Sequence, residues 1–175
     1  MLSLRLAFLF AVCSAKVTSQ NVEGASDLCP DHWIDATLSG LGCLFFNSTT
    51  AVTWEDAANL CQHPDNNASL VEIWSELQFD FIRSELMFLQ DNGVDNDWWI
   101  GATDQGREGR WYWAGSLATV GDFIWYPSTP DDGYRGTPDD GTDCNCAMLQ
   151  NTKSWEFLGD DLPCSAEKYF ICQKK

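Results

Sequence analysis

Residues 98–113 decide the fold, and they read Trp98-Trp99-Ile100-Gly101-Ala102-Thr103-Asp104-Gln105-Gly106-Arg107-Glu108-Gly109-Arg110-Trp111-Tyr112-Trp113. Two short runs of aromatic and apolar residues flank a segment rich in glycine and charge. Aromatic and β-branched residues favour strands, whereas glycine and charged residues favour the turns between strands. The stretch therefore predicts two short strands joined by an irregular turn.

Two helices are predicted before this stretch, and further strands after it. Thr53 is placed to cap a first helix that runs through Cys61. Residues 75–89 predict a second helix, because Leu77, Phe81, Ile82 and Leu86 recur at helical spacing. The runs 123–125 and 168–172 predict later strands. Two helices followed by a set of short strands predict an α+β domain.

A long irregular loop is predicted between these later strands. Residues 126–143 contain Pro127, Pro130 and Pro138 together with several glycines. A long loop inside a compact domain is usually functional or disordered. Its acidic residues continue beside cysteines, at Asp143-Cys144 and at Asp160-Asp161-Leu162-Pro163-Cys164. Carboxylates held close together by disulfides need a cation, and calcium is the ion that takes many carboxylate oxygens.

The first nineteen residues predict a secretory signal peptide. They contain a short apolar run with Arg5 near its front and small residues behind it, and cleavage after Ala15 or after Ser19 satisfies the small-residue rule. Residues 20–28 are expected to be a polar leader, and residues 29–175 one domain. No later stretch is apolar for long enough to insert into a membrane. We therefore expect a secreted, extracellular protein.

Export makes the cysteines interpretable as disulfides. Seven remain after Cys13 leaves with the signal peptide: Cys29, Cys43, Cys61, Cys144, Cys146, Cys164 and Cys172. An oxidising compartment favours disulfides over metal–thiolate sites. An odd count leaves one thiol, which allows a disulfide-linked dimer. Two sequons, at Asn47 and Asn67, predict N-glycosylation.

Charge and composition exclude several classes of function. The formal net charge of −16 repels nucleic acid and anionic lipid. The only histidines are His32 and His63, which leaves little for a histidine-based zinc site or a Ser-His-Asp relay. The sequence contains no nucleophile with a base beside it, so we do not expect an enzyme.

An ordered set of motifs resembles the long form of the C-type lectin-like domain, over essentially all of the mature chain. The matching positions are Cys29-Pro30-Asp31-His32-Trp33, Trp54…Ala57…Cys61, Trp99-Ile100-Gly101, Glu108-Gly109…Trp111…Trp113, Trp125…Pro130-Asp131, Cys164 and Phe170-Ile171-Cys172. The resemblance implies two helices, short antiparallel sheets and a long calcium-binding loop. It also implies the disulfides Cys29–Cys43 and Cys61–Cys172, and a bond from Cys164 to either Cys144 or Cys146.

The resemblance implies a principal calcium site. The family places a Glu-Pro-Asn or Gln-Pro-Asp triplet in the loop, and here that position reads Thr129-Pro130-Asp131. The family's Asn-Asp pair reads Asp160-Asp161, and Gly159 stands where the family has a tryptophan. The pattern Thr-Pro-Asp-Asp-Gly occurs at 129–133 and at 137–141, and the first copy has the family's distance from Trp125. We therefore predict Asp131, Asp160 and Asp161 as ligands, with the second copy as the alternative.

An auxiliary calcium site is implied as well. Asp104 and Glu108 match the spacing of the family's ligands, and Asp132 and Asp143 fill the two other positions. The family's acidic ligand two residues before the third bridging cysteine is Thr142 if Cys144 forms that bridge, or Cys144 if Cys146 does. Four carboxylates with water would supply about six to eight oxygens. The alternative is a set of solvated turn aspartates.

Sugar binding in the family requires amide donors as well as carboxylates around the calcium. Ionised aspartate only accepts hydrogen bonds. Here the carbohydrate-binding positions are Thr129, Asp131 and Asp160, with Tyr134 as a residue that could stack on a sugar. Asp131 fits the galactose-type Gln-Pro-Asp pattern, although its glutamine is absent.

The predicted function is a secreted, calcium-dependent lectin that recognises surface glycans, such as those of microbes, in innate immunity. The alternative is a protein-binding domain of the same fold, in which calcium is structural and no sugar is bound.

Overall fold

The computed structural model describes residues 29–121, 124–125, 144–152 and 156–175. The described part has two helices, one short 3-10 helix and eight strands. In chain order they are β1 (Ile34–Ala36), the 3-10 helix (Thr37–Ser39), β2 (Gly42–Val52), α1 (Trp54–Gln62), β3 (Ser69–Leu70), α2 (Glu76–Asp91), β4 (Trp98–Thr103), β5 (Tyr112–Trp113), β6 (Cys146–Thr152), β7 (Glu156–Leu162) and β8 (Lys168–Lys174).

The strands of the described chain form one hydrogen-bonded sheet in the order β1-β2-β8-β4-β6-β7, with β3 paired to β8 and β5 paired to β4. Every pair is antiparallel except β4 with β8, which are parallel. The α+β prediction is confirmed. The sheet is mixed, with β4 and β8 as the one parallel pair among the strands of the described chain.

Side-chain caps begin both helices where the sequence predicted. Thr53 Oγ1 accepts a hydrogen bond from the Asp56 N–H at 3.2 Å, and Ser75 Oγ accepts one from the Gln78 N–H at 3.3 Å. The buried face of α2 contains Phe79, Ile82 and Leu86, whereas Leu77 is 67% exposed. The expectation that Leu77 belongs to the core face is therefore wrong. Phe79, three residues before Ile82, occupies the position on the buried face that the sequence prediction gave to Leu77.

Two apolar clusters lie on opposite faces of the sheet. Trp98 and Ile100 pack in one cluster with Ile82 of α2, whereas Trp99 packs in the other with Trp54 of α1. Successive residues of a strand point to opposite faces, so β4 contributes to both clusters. All six of its residues are buried. The central aromatic strand thus holds the two helices on either side of the sheet.

Three disulfides close the described chain: Cys29–Cys43, Cys61–Cys172 and Cys146–Cys164. The first two confirm the pairings that the resemblance implied. The third decides between the two alternatives in favour of Cys146. Cys144 is 2% exposed and stays outside these three bridges as a buried thiol.

The strands differ in part from the sequence prediction. Residues 124–125 contribute a single bridge, from Trp125 to Gly159, rather than a strand of their own. The strand β7 (Glu156–Leu162) was not predicted, because Gly159, Asp160 and Asp161 are residue types that strands disfavour. In the described ranges, neither helix combines the length and the apolar content that crossing a bilayer requires.

Candidate functional site

The predicted acid pair lies on β7 at the end of the sheet order. Asp160 is opposite Met148 and Asp161 is opposite Ala147 in the antiparallel pairing with β6. Asp161 is fully buried and Asp160 is half-buried. The Asp161 N–H donates to Asp160 Oδ1 at 3.1 Å. A buried carboxylate is costly unless donors or a cation compensate its charge.

Both ends of segment 126–143 lie beside this pair. Trp125, directly before the segment, pairs in parallel with Gly159. Cys146, shortly after it, pairs with Leu162 and is bonded to Cys164. The chain therefore leaves and re-enters the described structure next to Asp160 and Asp161. Of the predicted principal and sugar-binding residues, Thr129, Asp131 and Tyr134 lie outside the described residues.

Gly159 explains why the family's tryptophan is absent before the acid pair. A Cβ at this position would approach the Ile124 carbonyl oxygen to 2.7 Å and the Trp125 ring to 3.1 Å. Only glycine leaves room for the 124–125 backbone against β7. The departure from the family pattern therefore has a steric cause: the backbone of a neighbouring segment occupies the space of a side chain.

The predicted auxiliary residues Asp104 and Glu108 lie in the turn that follows β4. Asp104 is 1% exposed, and its Oδ2 accepts a hydrogen bond from the Gly109 N–H at 2.8 Å. Its carbonyl oxygen accepts the Arg107 N–H at 2.9 Å. Gly106 and Gly109 adopt φ angles of +87° and +71°, which glycine reaches at no steric cost. This turn folds Glu108 back toward Asp104.

Asn145 joins these two carboxylates, and sequence reasoning did not select it. With its amide nitrogen turned toward them, Asn145 donates to Asp104 Oδ1 at 2.8 Å and to Glu108 Oε2 at 3.3 Å. With the amide turned the other way, its oxygen and the two carboxylates would enclose a cation. The orientation of an amide is inferred from its partners, and a bound cation would reverse it.

The choice of Cys146 as the bridging cysteine explains why Asn145 was missed. The family's ligand directly precedes that cysteine, which makes Asn145 the matching residue once Cys146 forms the bridge, while Asp143 stays a prediction. Asp143 and the fourth predicted residue, Asp132, lie outside the described residues. The same choice places Cys144 two residues before the bridging cysteine, where the family has an acid. The Cys144 thiol therefore stands where the family has an acidic calcium ligand.

The described residues fit calcium in part. The carboxylates of Asp104 and Glu108, in the turn after β4, converge on the side-chain amide of Asn145, the residue before β6. Oxygen ligands of this kind suit calcium. In the described ranges no group of three or more His, Cys, Asp or Glu side chains is arranged to hold a metal. The described residues alone therefore form no complete calcium site, and Asp104, Glu108 and Asn145 are the side chains whose oxygens would face a calcium ion at this turn.

The comparisons with known proteins agree on one family. The family model described as "Lectin C-type domain" matches residues 50–174. The mouse (Mus musculus) CD209 antigen-like protein C is 32% identical over 150 residues, which are 83% of this chain and 69% of that protein. The human (Homo sapiens) C-type lectin domain family 17, member A, is 28% identical over 148 residues. The aligned residues are 84% of this chain but only 32% of that relative.

A solved structure shows the same fold. The human scavenger receptor C-type lectin carbohydrate-recognition domain superposes with a TM-score of 0.67 at 26% identity, covering 84% of this chain and 98% of that domain. The two helices, the mixed sheet and the disulfides agree with this likeness. The family is one of carbohydrate-binding domains without enzymatic activity, which confirms the prediction that the chain is not an enzyme. The family match over more than half of its residues shows that the chain belongs to the C-type lectin domain family.

Proposed function

We propose that this protein is a secreted, calcium-dependent lectin that binds surface glycans. The observation that carries the proposal is the acid pair on β7: Asp161 is fully buried and stands beside both ends of segment 126–143. Membership of a carbohydrate-binding family and the likeness to a carbohydrate-recognition domain support it. Surface glycans of microbes are the proposed ligands, as in innate immune recognition.

Calcium, when bound, would offer coordination positions that two neighbouring sugar hydroxyls can fill. In this proposal Asp160, Asp161 and Asp131 hold the ion at the principal site. Asp104, Glu108 and Asn145 hold a second ion, with Asp132 and Asp143 as further ligands, and fix the start of β6. Thr129 and Tyr134 complete the sugar contacts, as in the sequence prediction. Ionised Asp131 and Asp160 would accept hydrogen bonds from sugar hydroxyls, since carboxylates cannot donate.

One observation favours the second candidate, a protein-binding domain with structural calcium. Cys146 forms the bridge to Cys164, so the position two residues earlier carries the Cys144 thiol instead of a carboxylate. The principal site then has one oxygen ligand fewer, which weakens its hold on an ion that must also bind sugar. The auxiliary set does not depend on this position.

Affinity chromatography separates the two candidates. The mature protein is loaded in calcium on immobilised mannose, galactose and a microbial polysaccharide, and each column is then eluted with chelator. The lectin proposal expects retention on at least one column and release by chelator. Passage through all three columns would contradict it and favour the protein-binding candidate.

Export, glycosylation at Asn47 and Asn67, and the disulfide-linked dimer remain predictions. Asn67 is exposed and Asn47 is half-buried. The burial of Cys144 argues against the dimer, because a second chain's thiol would have to displace the structure that covers it. A disulfide-linked dimer through Cys144 is therefore the least supported of these predictions, and we expect no disulfide between chains.

A further inference from the structure

A polar pocket of about 340 Å³ lies between β3, the turn after β5 and the end of β8, and it contains no residue of the two carboxylate sets. The polar residues that line this polar pocket are Asn67, Ser69, Glu72, Ser116, Gln173 and Lys175, and Ala68 and Gly115 complete its wall. Ligand pockets span roughly 300–1,000 Å³. The polar pocket is at the small end of this range, which suits one sugar residue better than a long chain.

Glu72 places a buried carboxylate in the wall of the polar pocket. The Glu72 side chain is 3% exposed, Oε1 accepts the Ser116 N–H at 2.8 Å, and Oε2 accepts Lys175 Nζ at 3.2 Å. A Cβ on Gly115 would approach Oε1 to 2.7 Å, so glycine is required beside it. The fold thus holds this acceptor in one position.

Gln173 fixes the backbone beneath that carboxylate. Its side chain is 2% exposed, accepts the Glu72 N–H at 3.1 Å and donates to the Leu41 carbonyl oxygen at 2.8 Å. Both ends of the Gln173 amide are therefore used inside the protein. Its role is to keep the wall rigid, and the groups open to a ligand are the serine hydroxyls and Lys175, with only the 3% exposed edge of Glu72 beside them.

Lys175 lines the polar pocket and adds a donor, and the Trp74 ring lies beside that lysine. The Lys175 side chain is 60% exposed, and its Nζ lies 5.7 Å from the centre of the Trp74 ring. Trp74 is itself 42% exposed. A carboxylate accepts, an ammonium group donates, and an indole face packs against C–H groups. Together they match N-acetylglucosamine, whose acetamido group and hydroxyls both donate and accept.

Asn67 lies on the rim of the same polar pocket. It is exposed and adopts a φ angle of +45°, a left-handed conformation that asparagine tolerates better than most residues. It begins the sequon Asn67-Ala68-Ser69, whose Ser69 also lines the polar pocket. The first sugar attached to the Asn67 amide would lie at the edge of the polar pocket. Because it is covalently tethered there, its effective concentration is high, and a weak contact with the pocket suffices to hold it.

The second sequon provides a contrast. Asn47 lies on β2, and its Oδ1 accepts hydrogen bonds from the backbone N–H groups of Thr49 and Thr50, both at 3.3 Å. Asn47 does not line the polar pocket. A glycan at Asn47 is therefore expected to extend into solvent, and this site serves as the internal control.

We propose that the polar pocket binds the first N-acetylglucosamine of a glycan attached to Asn67, and that this contact stabilises the junction of β3, β8 and the turn after β5. The inference rests on export through the secretory pathway, which is part of the proposed function. It is independent of calcium and of the residues that would bind an external glycan.

The test compares two deglycosylated forms of one secreted variant. Asn47→Gln leaves Asn67 as the one sequon, and expression in a host that makes high-mannose glycans allows both treatments. Endoglycosidase H leaves one N-acetylglucosamine on Asn67, whereas peptide N-glycosidase F removes the whole glycan and leaves an aspartate at position 67. The bare form with asparagine intact is therefore also made by expressing Asn47→Gln without glycosylation. We expect the form with one sugar to melt roughly 2–4 °C above the bare form, the shift that about 1 kcal/mol produces in a chain of this size.

Two controls keep the inference falsifiable. Asn67→Gln carries its glycan on Asn47 and receives the same two enzyme treatments. Its two deglycosylated forms should have equal Tm values. Glu72→Gln, added to Asn47→Gln, should reduce the difference even if it lowers both melting temperatures. Equal Tm values for the two forms of Asn47→Gln would overturn the inference.

Two further results would overturn it while leaving the lectin proposal intact. One is mass spectrometry that finds a glycan on Asn47 and none on Asn67 of the secreted wild-type chain. The other is stabilisation of the unglycosylated chain by free N-acetylglucosamine without any effect of the attached sugar, which would assign the polar pocket to an external saccharide.

Discussion

At the residue scale, Gly159 positions the 124–125 backbone against the acid pair. We expect Gly159→Ala to reduce the free energy of unfolding by about 1–3 kcal/mol, the usual cost of forcing an extra group into a packed site. Urea denaturation measures this loss. Gly106→Ala is the control, because its Cβ would meet no atom within 4 Å and only its positive φ is strained. A loss at Gly159 below about 0.5 kcal/mol, the range of neutral surface substitutions, would contradict the steric account.

A second prediction concerns Asp35. The Thr37 hydroxyl donates to Asp35 Oδ1 at 2.6 Å and the Thr37 N–H donates to the same oxygen at 2.9 Å. These bonds, the hydroxyl first, lower the pKa of Asp35, against a small opposing effect of burial. A lowered carboxyl pKa stabilises the fold above the pKa of the unfolded chain, and this contribution disappears as pH falls through the folded value.

Thr37→Val removes the hydroxyl and keeps the N–H. We therefore expect the pKa of Asp35 to rise part of the way toward its ordinary value, as measured by an NMR titration of the carboxyl group. Ser39→Ala is the control, since the Ser39 hydroxyl donates to the Ala36 carbonyl oxygen and not to Asp35. An unchanged Asp35 pKa in Thr37→Val would show that the hydroxyl bond is not the cause.

The residues that sequence reasoning assigned wrongly share one cause. Asn145 was missed because its place is defined by the bridging cysteine, and the sequence left Cys144 and Cys146 as alternatives. Leu77 was placed in the core because helical spacing gives the relative angles of side chains but not which arc faces the sheet. Residue types and local spacing do not contain these facts, which tertiary contacts decide.

At the element scale, the β6–β7 register alone does not decide the disulfide. Cys146 is opposite Leu162, so the same register continued by two residues on each strand would bring Cys144 opposite Cys164. The observed bond instead joins Cys146 to Cys164 across a Cα–Cα distance of 5.1 Å. Cys144 therefore remains a buried thiol close to a bridge in which it has no part.

We expect Cys144→Ser to keep all three disulfides and to run as a monomer on non-reducing gels, like the wild-type chain. Peptide mapping without reduction should recover Cys146 bonded to Cys164 in both proteins. Cys146→Ser is the matched variant, and it should lose stability on the scale of about 2–4 kcal/mol that a disulfide contributes. A wild-type dimer that Cys144→Ser abolishes would contradict the expected monomer.

Helices and aromatic strands were predictable because each carries its own signal. Thr53 and Ser75 cap the helices locally, and the run Trp98–Thr103 is apolar and aromatic throughout. Strand β7 carries no such signal, since Gly159, Asp160 and Asp161 follow one another in it. Its pairing with β6 and the nearby Cys146–Cys164 bond stabilise it instead. The candidate site lies on the element that the sequence least predicts.

At the scale of the whole molecule, one disulfide closes most of the domain. Cys61–Cys172 joins α1 to β8 over a separation of 111 residues, whereas Cys29–Cys43 spans 14. Chain-entropy estimates give about 4.7 kcal/mol for a loop of roughly 100 residues and about 3 kcal/mol for one of roughly 15. We therefore expect Cys61→Ala with Cys172→Ala to lower the free energy of unfolding by about 1–2 kcal/mol more than Cys29→Ala with Cys43→Ala. Equal losses in urea denaturation would contradict this ranking.

The acidic surface of the whole molecule gives calcium a second effect. A formal net charge of −16 destabilises a compact chain through self-repulsion, and bound divalent cations would reduce it. Exposed acidic residues contribute to this general effect. Calcium titrations therefore need a control variant in which an acidic residue outside the principal and auxiliary sets is neutralised. Asp31 is exposed and lies shortly before β1, which makes Asp31→Asn suitable.

The most direct test of the central claim is a calcium titration followed by thermal melting. Calcium should raise the Tm of the wild-type protein, because an ion that binds only the folded state adds about 2.7 kcal/mol at one hundred times its dissociation constant. Asp161→Asn and Asp104→Asn should each lose part of the rise, the double variant should lose nearly all of it, and Asp31→Asn should keep it. A double variant that keeps the full rise, or a wild-type Tm that calcium leaves unchanged, would contradict the claim that these carboxylates bind calcium.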